Sequence, residues 1–160
     1  MKIIKVGMAD LAVVKSPGKL ITLGLGSCVG IALYDKRTKI AGLAHIMLPN
    51  SKEIKNNSNK AKFADTAIEI LLEKMESLGS NKWNIVAKLS GGAQMFSFNT
   101  KNDILKIGER NVLASKKKLN QLGIKIISED TGGNYGRTIE LDSSNGDLLV
   151  KTIGHGTKVI

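Results

Sequence analysis

The chain has 160 residues and a formal net charge of +10, from 24 basic and 14 acidic side chains. It is 42% hydrophobic and 24% charged, with 17 glycines and 2 prolines, which excludes a disordered tail, a collagen and a coiled coil. No apolar run approaches the ~20 residues of a membrane span, and the single cysteine excludes an internal disulfide and a multi-cysteine zinc site.

Two apolar runs open the chain, Ile3-Ile4-Lys5-Val6 and Leu11-Ala12-Val13-Val14, before a turn at Ser16-Pro17-Gly18. The opening residues lack the pattern of a secretory leader, so the cytoplasm is the expected location. Leu20-Ile21-Thr22-Leu23 reads as a strand ended by Gly24-Leu25-Gly26-Ser27. Cys28 to Tyr34 reads as a second strand, Asp35-Lys36-Arg37-Thr38 as a polar turn, and Ile40 to Leu48 as a third strand stopped at Pro49. The asparagine-rich segment from Asn50 to Lys60 is expected to be an exposed, mobile loop.

An amphipathic helix follows, capped by Ser58 or Asn59 and closed by Gly79. Its apolar face is Ala64, Ile68, Leu71, Met75 and Leu78. Asn84 to Leu89 is a predicted strand. A second helix runs from about Gly108 to Gln121, with a weak stripe of Val112, Leu119 and Leu122; Lys116-Lys117-Lys118 on it spreads over about 200° of arc and reads as a solvated face. Predicted strands at Ile124 to Ile127, Arg137 to Leu141 and Leu148 to Ile153 complete the chain, the last two joined through Asn145-Gly146. No repeat or linker interrupts residues 1–160, so one mixed α/β domain is expected.

The excess of positive charge suits an acidic partner. Only three basic residues are arginines (37, 110 and 137) and aromatic content is 4%. Both argue against nucleic acid, and an acidic protein surface fits at least as well.

Cys28 lies among Gly24, Gly26 and Gly30, where backbone can approach a ligand closely. A plain glycine turn between two strands explains the same residues. If the Asp35–Thr38 turn is centred between residues 36 and 37, Cys28 falls directly opposite His45, with Cβ atoms about 4.5–5.5 Å apart. A three-residue loop sends His45 to the other face. A thiol beside an imidazole supports acyl transfer: an imidazolium lowers the thiol pKa, and the thiolate attacks an amide or ester carbonyl. Thr22 is a candidate to orient the imidazole, although an ordinary strand threonine is the simpler reading. His155, in Gly154-His155-Gly156, has no such link to Cys28 and reads as a surface histidine.

Thr22-Leu23-Gly24-Leu25-Gly26-Ser27-Cys28-Val29-Gly30-Ile31 followed by Gly42-Leu43-Ala44-His45-Ile46-Met47-Leu48-Pro49 resembles the CheD family of chemoreceptor glutamine deamidases. Further similarity lies at Lys62–Asp65, Gly91–Phe96, Ile107–Asn111 and Gly132–Thr138, in family order over nearly the whole chain. Ser90 departs from the bulky apolar residue expected before Gly91-Gly92-Ala93.

The resemblance implies a single α/β domain with a β-sandwich-like core and two flanking helices. It implies Cys28 as nucleophile, His45 as general base and then acid, and Thr22 as their support, with no cofactor and no metal. Backbone near Gly26 and Ser27 is expected to line an oxyanion site. The implied reaction converts receptor glutamine side chains to glutamate and ammonia through a cysteine thioester, with glutamyl methyl esterase as a side activity. The implied partners are the helical cytoplasmic domain of a chemoreceptor and a CheC-type phosphatase, with Phe96 and Phe98 as candidate contacts or else core residues. Neither nucleic-acid binding nor membrane insertion is expected, and a monomer suffices. The alternative is a mainly non-catalytic regulator of that phosphatase.

Overall fold

The computed structural model describes residues 1–95 and 106–160. Its strands are β1 (Lys2–Lys5), β2 (Asp10–Lys15), β3 (Gly18–Leu25), β4 (Val29–Asp35), β5 (Ile40–Ile46), β6 (Ile85–Gly91), β7 (Lys125–Thr131), β8 (Arg137–Asp142), β9 (Leu148–Thr152) and β10 (Gly156–Val159). Two helices, α1 (Ala64–Ser77) and α2 (Ile107–Gln121), accompany them. The strands form two five-stranded sheets, ordered β1-β3-β8-β9-β10 and β2-β5-β4-β6-β7.

The layering follows from side-chain alternation. On β4 and β5, Val29, Ile31, Leu33, Ile40, Ala44 and Ile46 pack with α1 and α2. The opposite face of the same strands presents Ala32, Tyr34, Ala41 and Leu43 to Leu20, Ile139, Leu141 and Val150 of the other sheet. Every residue of β4 and β5 is buried. Being covered on both sides, these strands read as unbroken apolar runs instead of alternating ones. The result is a β-sandwich with both helices on one outer face, the α/β architecture that the family resemblance implies. The two opening apolar runs, not assigned as strands from the sequence, form β1 and β2, and β10, whose four residues are all exposed, is a further strand the pattern did not reveal.

Three local expectations change. Asn59 caps not α1 but a one-turn 3₁₀ segment, Lys60–Lys62, by accepting from the Ala61 N–H. The helix starts at Ala64, after Phe63, with no side-chain cap. Leu78 ends the helix and is exposed, so it leaves the apolar face. The segment from Asn50 to Lys60 is exposed apart from its first two residues, yet it is pinned. The Asp65 carboxylate accepts from the Ser51 N–H and hydroxyl, and Asn57 donates to the Ser51 carbonyl.

The hairpin register also differs. The β4–β5 ladder pairs Asp35 with Ile40 and Gly30 with His45. The loop is therefore Lys36 to Lys39, centred between 37 and 38. Asp35 fixes it: its carboxylate accepts from the N–H groups of Arg37 and Thr38, and its carbonyl accepts from Lys39 N–H at 2.8 Å. Lys39 takes φ 56° to close the turn. Cys28 is thus not directly opposite His45; it stands just before β4, two residues short of that position. A two-residue offset preserves the face, and Cys28 belongs to the cluster between the sheets.

Candidate active site

His45 and Thr22 approach from opposite sheets. His45 lies on β5 in line with Ala41 and Leu43, so its ring enters the space between the sheets. Thr22 lies on β3, where pairing with β8 slips between Thr22 and Leu25. Gly24, at φ 70°, occupies this bulge and supplies the left-handed backbone it needs.

The Thr22 hydroxyl donates to the Val6 carbonyl at 2.7 Å. Its one proton is thereby used, so its contact with His45 Nδ1, also 2.7 Å, has the ring nitrogen donating. Nδ1 therefore carries the proton and Nε2 holds the free lone pair. Nε2 is buried and hydrogen-bonds nothing among the described residues, the Cys28 thiol included. The backbone of His45 is held as well, its carbonyl accepting from Ala9 N–H at 2.9 Å.

Cys28 is the most open of the three residues, 7% exposed against 1% for Thr22 and His45. Burial raises the pKa of its thiol, partly offset by its own backbone N–H. Burial lowers the pKa of His45. Both shifts favour the uncharged forms, thiol and neutral imidazole, because desolvation disfavours charge on either group, whereas the sequence leads one to expect an imidazolium that lowers the thiol pKa.

The segment before β4 is held through its carbonyls. The Gly26 carbonyl accepts from Ala93 N–H, and the Cys28 carbonyl from Gly92 N–H at 2.8 Å. The Ser27 carbonyl accepts from the Asn111 side chain at 2.9 Å. A Cβ on Gly91 would stand 2.3 Å from the Cys28 carbonyl oxygen, so this close approach requires glycine. The Gly26 N–H is already spent on the Gly24 carbonyl. Among the described residues, no carbonyl accepts from Ser27 N–H.

Ser90 pairs with Gly30 across β4 and β6, and its hydroxyl is buried without a partner among the described residues. His155 is exposed and stacks on Tyr135, ring centroids 4.1 Å apart. Phe96 and Phe98 lie outside the described residues. Among the described residues no cluster of three or more His, Cys, Asp or Glu side chains is placed to hold a metal ion, and no helix is long and apolar enough to cross a membrane.

From the sequence Asn111 enters only as the end of the Ile107–Asn111 similarity block, with no role assigned. The signal was present in the weak stripe of α2. Its buried face is Gly108, Asn111, Val112, Ser115 and Leu119, so polar residues occupy positions where an apolar stripe was sought.

Comparison with known proteins gives the family of the chain. A family model described as CheD chemotactic sensory transduction matches residues 47–152. A protein of Caldanaerobacter subterraneus named "Probable chemoreceptor glutamine deamidase CheD" is 64% identical over 159 residues, 99% of this chain and 98% of that one. A protein of Syntrophomonas wolfei with the same name is 57% identical, covering 99% of each chain. Among solved structures, a Neisseria meningitidis protein of family DUF152 shares the fold at TM-score 0.50 and 9% identity, over 84% of this chain and 63% of that one. The relatives match almost end to end, Thr22, Cys28 and His45 within the matched span, and the chain belongs to the CheD family.

Proposed function

We propose that the protein is a cytoplasmic chemoreceptor glutamine deamidase, with residues 1–160 acting as one domain. Cys28 is its nucleophile, His45 its base and then acid, and Thr22 the group that orients the imidazole. The observation that carries this reading is the Thr22–His45 bond, which leaves Nε2 as the basic nitrogen on the face that also holds the chain's only thiol. Two residues of offset give a diagonal spacing of about 7–8 Å, still within reach of an aromatic ring.

The thiol attacks the side-chain carbonyl carbon of a glutamine as its proton passes to Nε2. The tetrahedral oxyanion needs a fixed donor, and the Ser27 N–H, from which no carbonyl among the described residues accepts, is the candidate. The C–N bond breaks, ammonia departs with the proton from Nε2, and a thioester remains on Cys28. Water then attacks the thioester, giving its proton to Nε2. Collapse releases glutamate, and the sulfur recovers its proton. A glutamyl methyl ester reaches the same thioester with methanol as leaving group, which gives the esterase side activity. The charge of +10 suits encounter with an acidic receptor surface and does not account for the choice of glutamine.

Incubating a receptor cytoplasmic fragment with the monomeric protein should release ammonia and give glutamine-to-glutamate mass changes in its peptides. Cys28→Ala should abolish both. Unchanged turnover in that variant removes Cys28 from the mechanism. The second role, docking to a CheC-type phosphatase, rests on family likeness, with Phe96 and Phe98, close in sequence to Gly91-Gly92-Ala93, as contacts or else core residues. It predicts a complex that survives Cys28→Ala; a protein that forms that complex yet modifies no receptor is a regulator alone.

A further inference from the structure

We propose that Asn111 is a positioning residue for this reaction, the tie that sets how the nucleophile stands to its base. The inference rests on the roles given above to Cys28 and His45. Asn111 is fully buried, and its amide nitrogen donates to the Ser27 carbonyl at 2.9 Å and to the Met47 carbonyl at 3.0 Å. Ser27 immediately precedes Cys28, and Met47 follows His45 by two residues. The β4–β5 ladder ends at the pair Val29 and Ile46. Beyond that rung the two chains lose their mutual pairing, and one side-chain amide bridges them.

The chemistry suits asparagine specifically. Two carbonyls need two donors on one short head, which aspartate and leucine lack and serine supplies only by half. The amide cannot be reversed, because its oxygen would then oppose both carbonyls. The helix that carries it is seated on the same segment. A Cβ on Gly108 would stand 2.4 Å from the Ala93 carbonyl oxygen, and the neighbouring Gly92 N–H holds the Cys28 carbonyl. Among the described residues the Asn111 side chain hydrogen-bonds two backbone carbonyls and neither the thiol nor the imidazole, so it acts through the backbone that presents them.

The lone cysteine makes alkylation by iodoacetamide a site-specific reading of Cys28. Asn111→Ala and Asn111→Leu should lower kcat on the receptor fragment about 10- to 100-fold, as a misplacement near 1 Å does. KM should stay near wild type, and the pH profile of Cys28 alkylation should shift. Asn111→Ser, which keeps one donor, should fall between. Ser115→Ala is the control: it removes a hydroxyl that donates to the Asn111 carbonyl on the same helix, and kcat should hold. Folded Ala or Leu variants with wild-type kcat and alkylation profile overturn the proposal, as does an equal loss in Ser115→Ala. If the Ala and Leu variants do not fold, Asn111→Ser decides: wild-type kcat overturns the proposal and partial loss supports it. If wild type releases no ammonia, the deamidase reading fails, and the alkylation comparison still decides whether Asn111 sets the surroundings of Cys28.

Discussion

The hydroxyl of Thr22 on one sheet receives the Nδ1 proton of His45 on the other at 2.7 Å, so a single hydrogen bond both joins the sheets and selects the imidazole tautomer. Thr22→Val keeps the shape and removes the oxygen. It leaves the Nδ1–H and the Val6 carbonyl unpaired, at a cost of about 1–3 kcal/mol in stability. With the tautomer no longer fixed, kcat should fall about 10- to 100-fold, part of what a general base contributes. Thr22→Ser should restore most of it. Steady-state ammonia release with thermal unfolding of the three proteins checks both effects; a Val variant of full activity would show that the bond is only structural.

The pKa directions fix the form of the pH dependence. The depressed His45 value puts the acid limb of kcat/KM below the ordinary histidine pKa of about 6.5. The raised Cys28 value keeps the thiol protonated at neutral pH, so alkylation should climb only above the range of a free cysteine. A resting ion pair would instead show rapid alkylation at pH 5 to 6. His45 also has a linkage consequence. Its folded pKa lies below the unfolded one, so the unfolded chain gains the proton first as pH falls. That share of stability is present above about 6.5 and is lost progressively down to the folded pKa. His45→Gln should flatten this slope in urea unfolding measured across the window.

The element order was legible because β4 and β5 form continuous apolar runs and α1 has a clean period. The face shared by Cys28 and His45 was legible for a related reason: strand parity survives a two-residue error. The register itself was hidden, since Lys39 closes the loop at φ 56° and nothing in its composition announces a left-handed lysine. The Thr22 contact joins residues on different sheets, a relation set by packing rather than by local pattern. Asn111 stayed hidden because its partners are backbone carbonyls, which any residue at positions 27 and 47 carries.

Two glycines near the nucleophile should respond differently to alanine. Gly24, at φ 70°, has nothing within 4 Å of an added Cβ, so Gly24→Ala meets only backbone strain of about 1–2 kcal/mol. Gly91, at φ 108°, would drive its Cβ against the Cys28 carbonyl oxygen as well. Gly91→Ala should cost more, about 3 kcal/mol or above, and should displace Cys28. Urea unfolding ranks the stabilities and iodoacetamide alkylation reports the displacement. Equal effects of the two substitutions would mean that the Gly91 contact relaxes freely.

Asp35 governs the loop that sets Gly30 opposite His45. Burial by itself raises its pKa, but hydrogen bonds from the N–H groups of Asn81, Thr38 and Arg37 outweigh that and hold it below the ordinary carboxylate value. With the folded pKa below the unfolded one, its contribution to stability is fully present above about pH 4 and disappears as pH falls through the folded pKa. Asp35→Asn should cost about 1–3 kcal/mol at neutral pH, since the charge that attracts three backbone donors is gone. The gap between wild type and variant should close as urea unfolding is repeated from pH 7 toward pH 3. A gap that persists unchanged to pH 3 would mean that the substitution acts through packing and not through the charge. The variant also loosens the turn that holds His45 on the face of Cys28, and a one-residue slip there removes the imidazole from the thiol altogether. Ammonia release by Asp35→Asn should therefore fall further than its loss of stability alone accounts for.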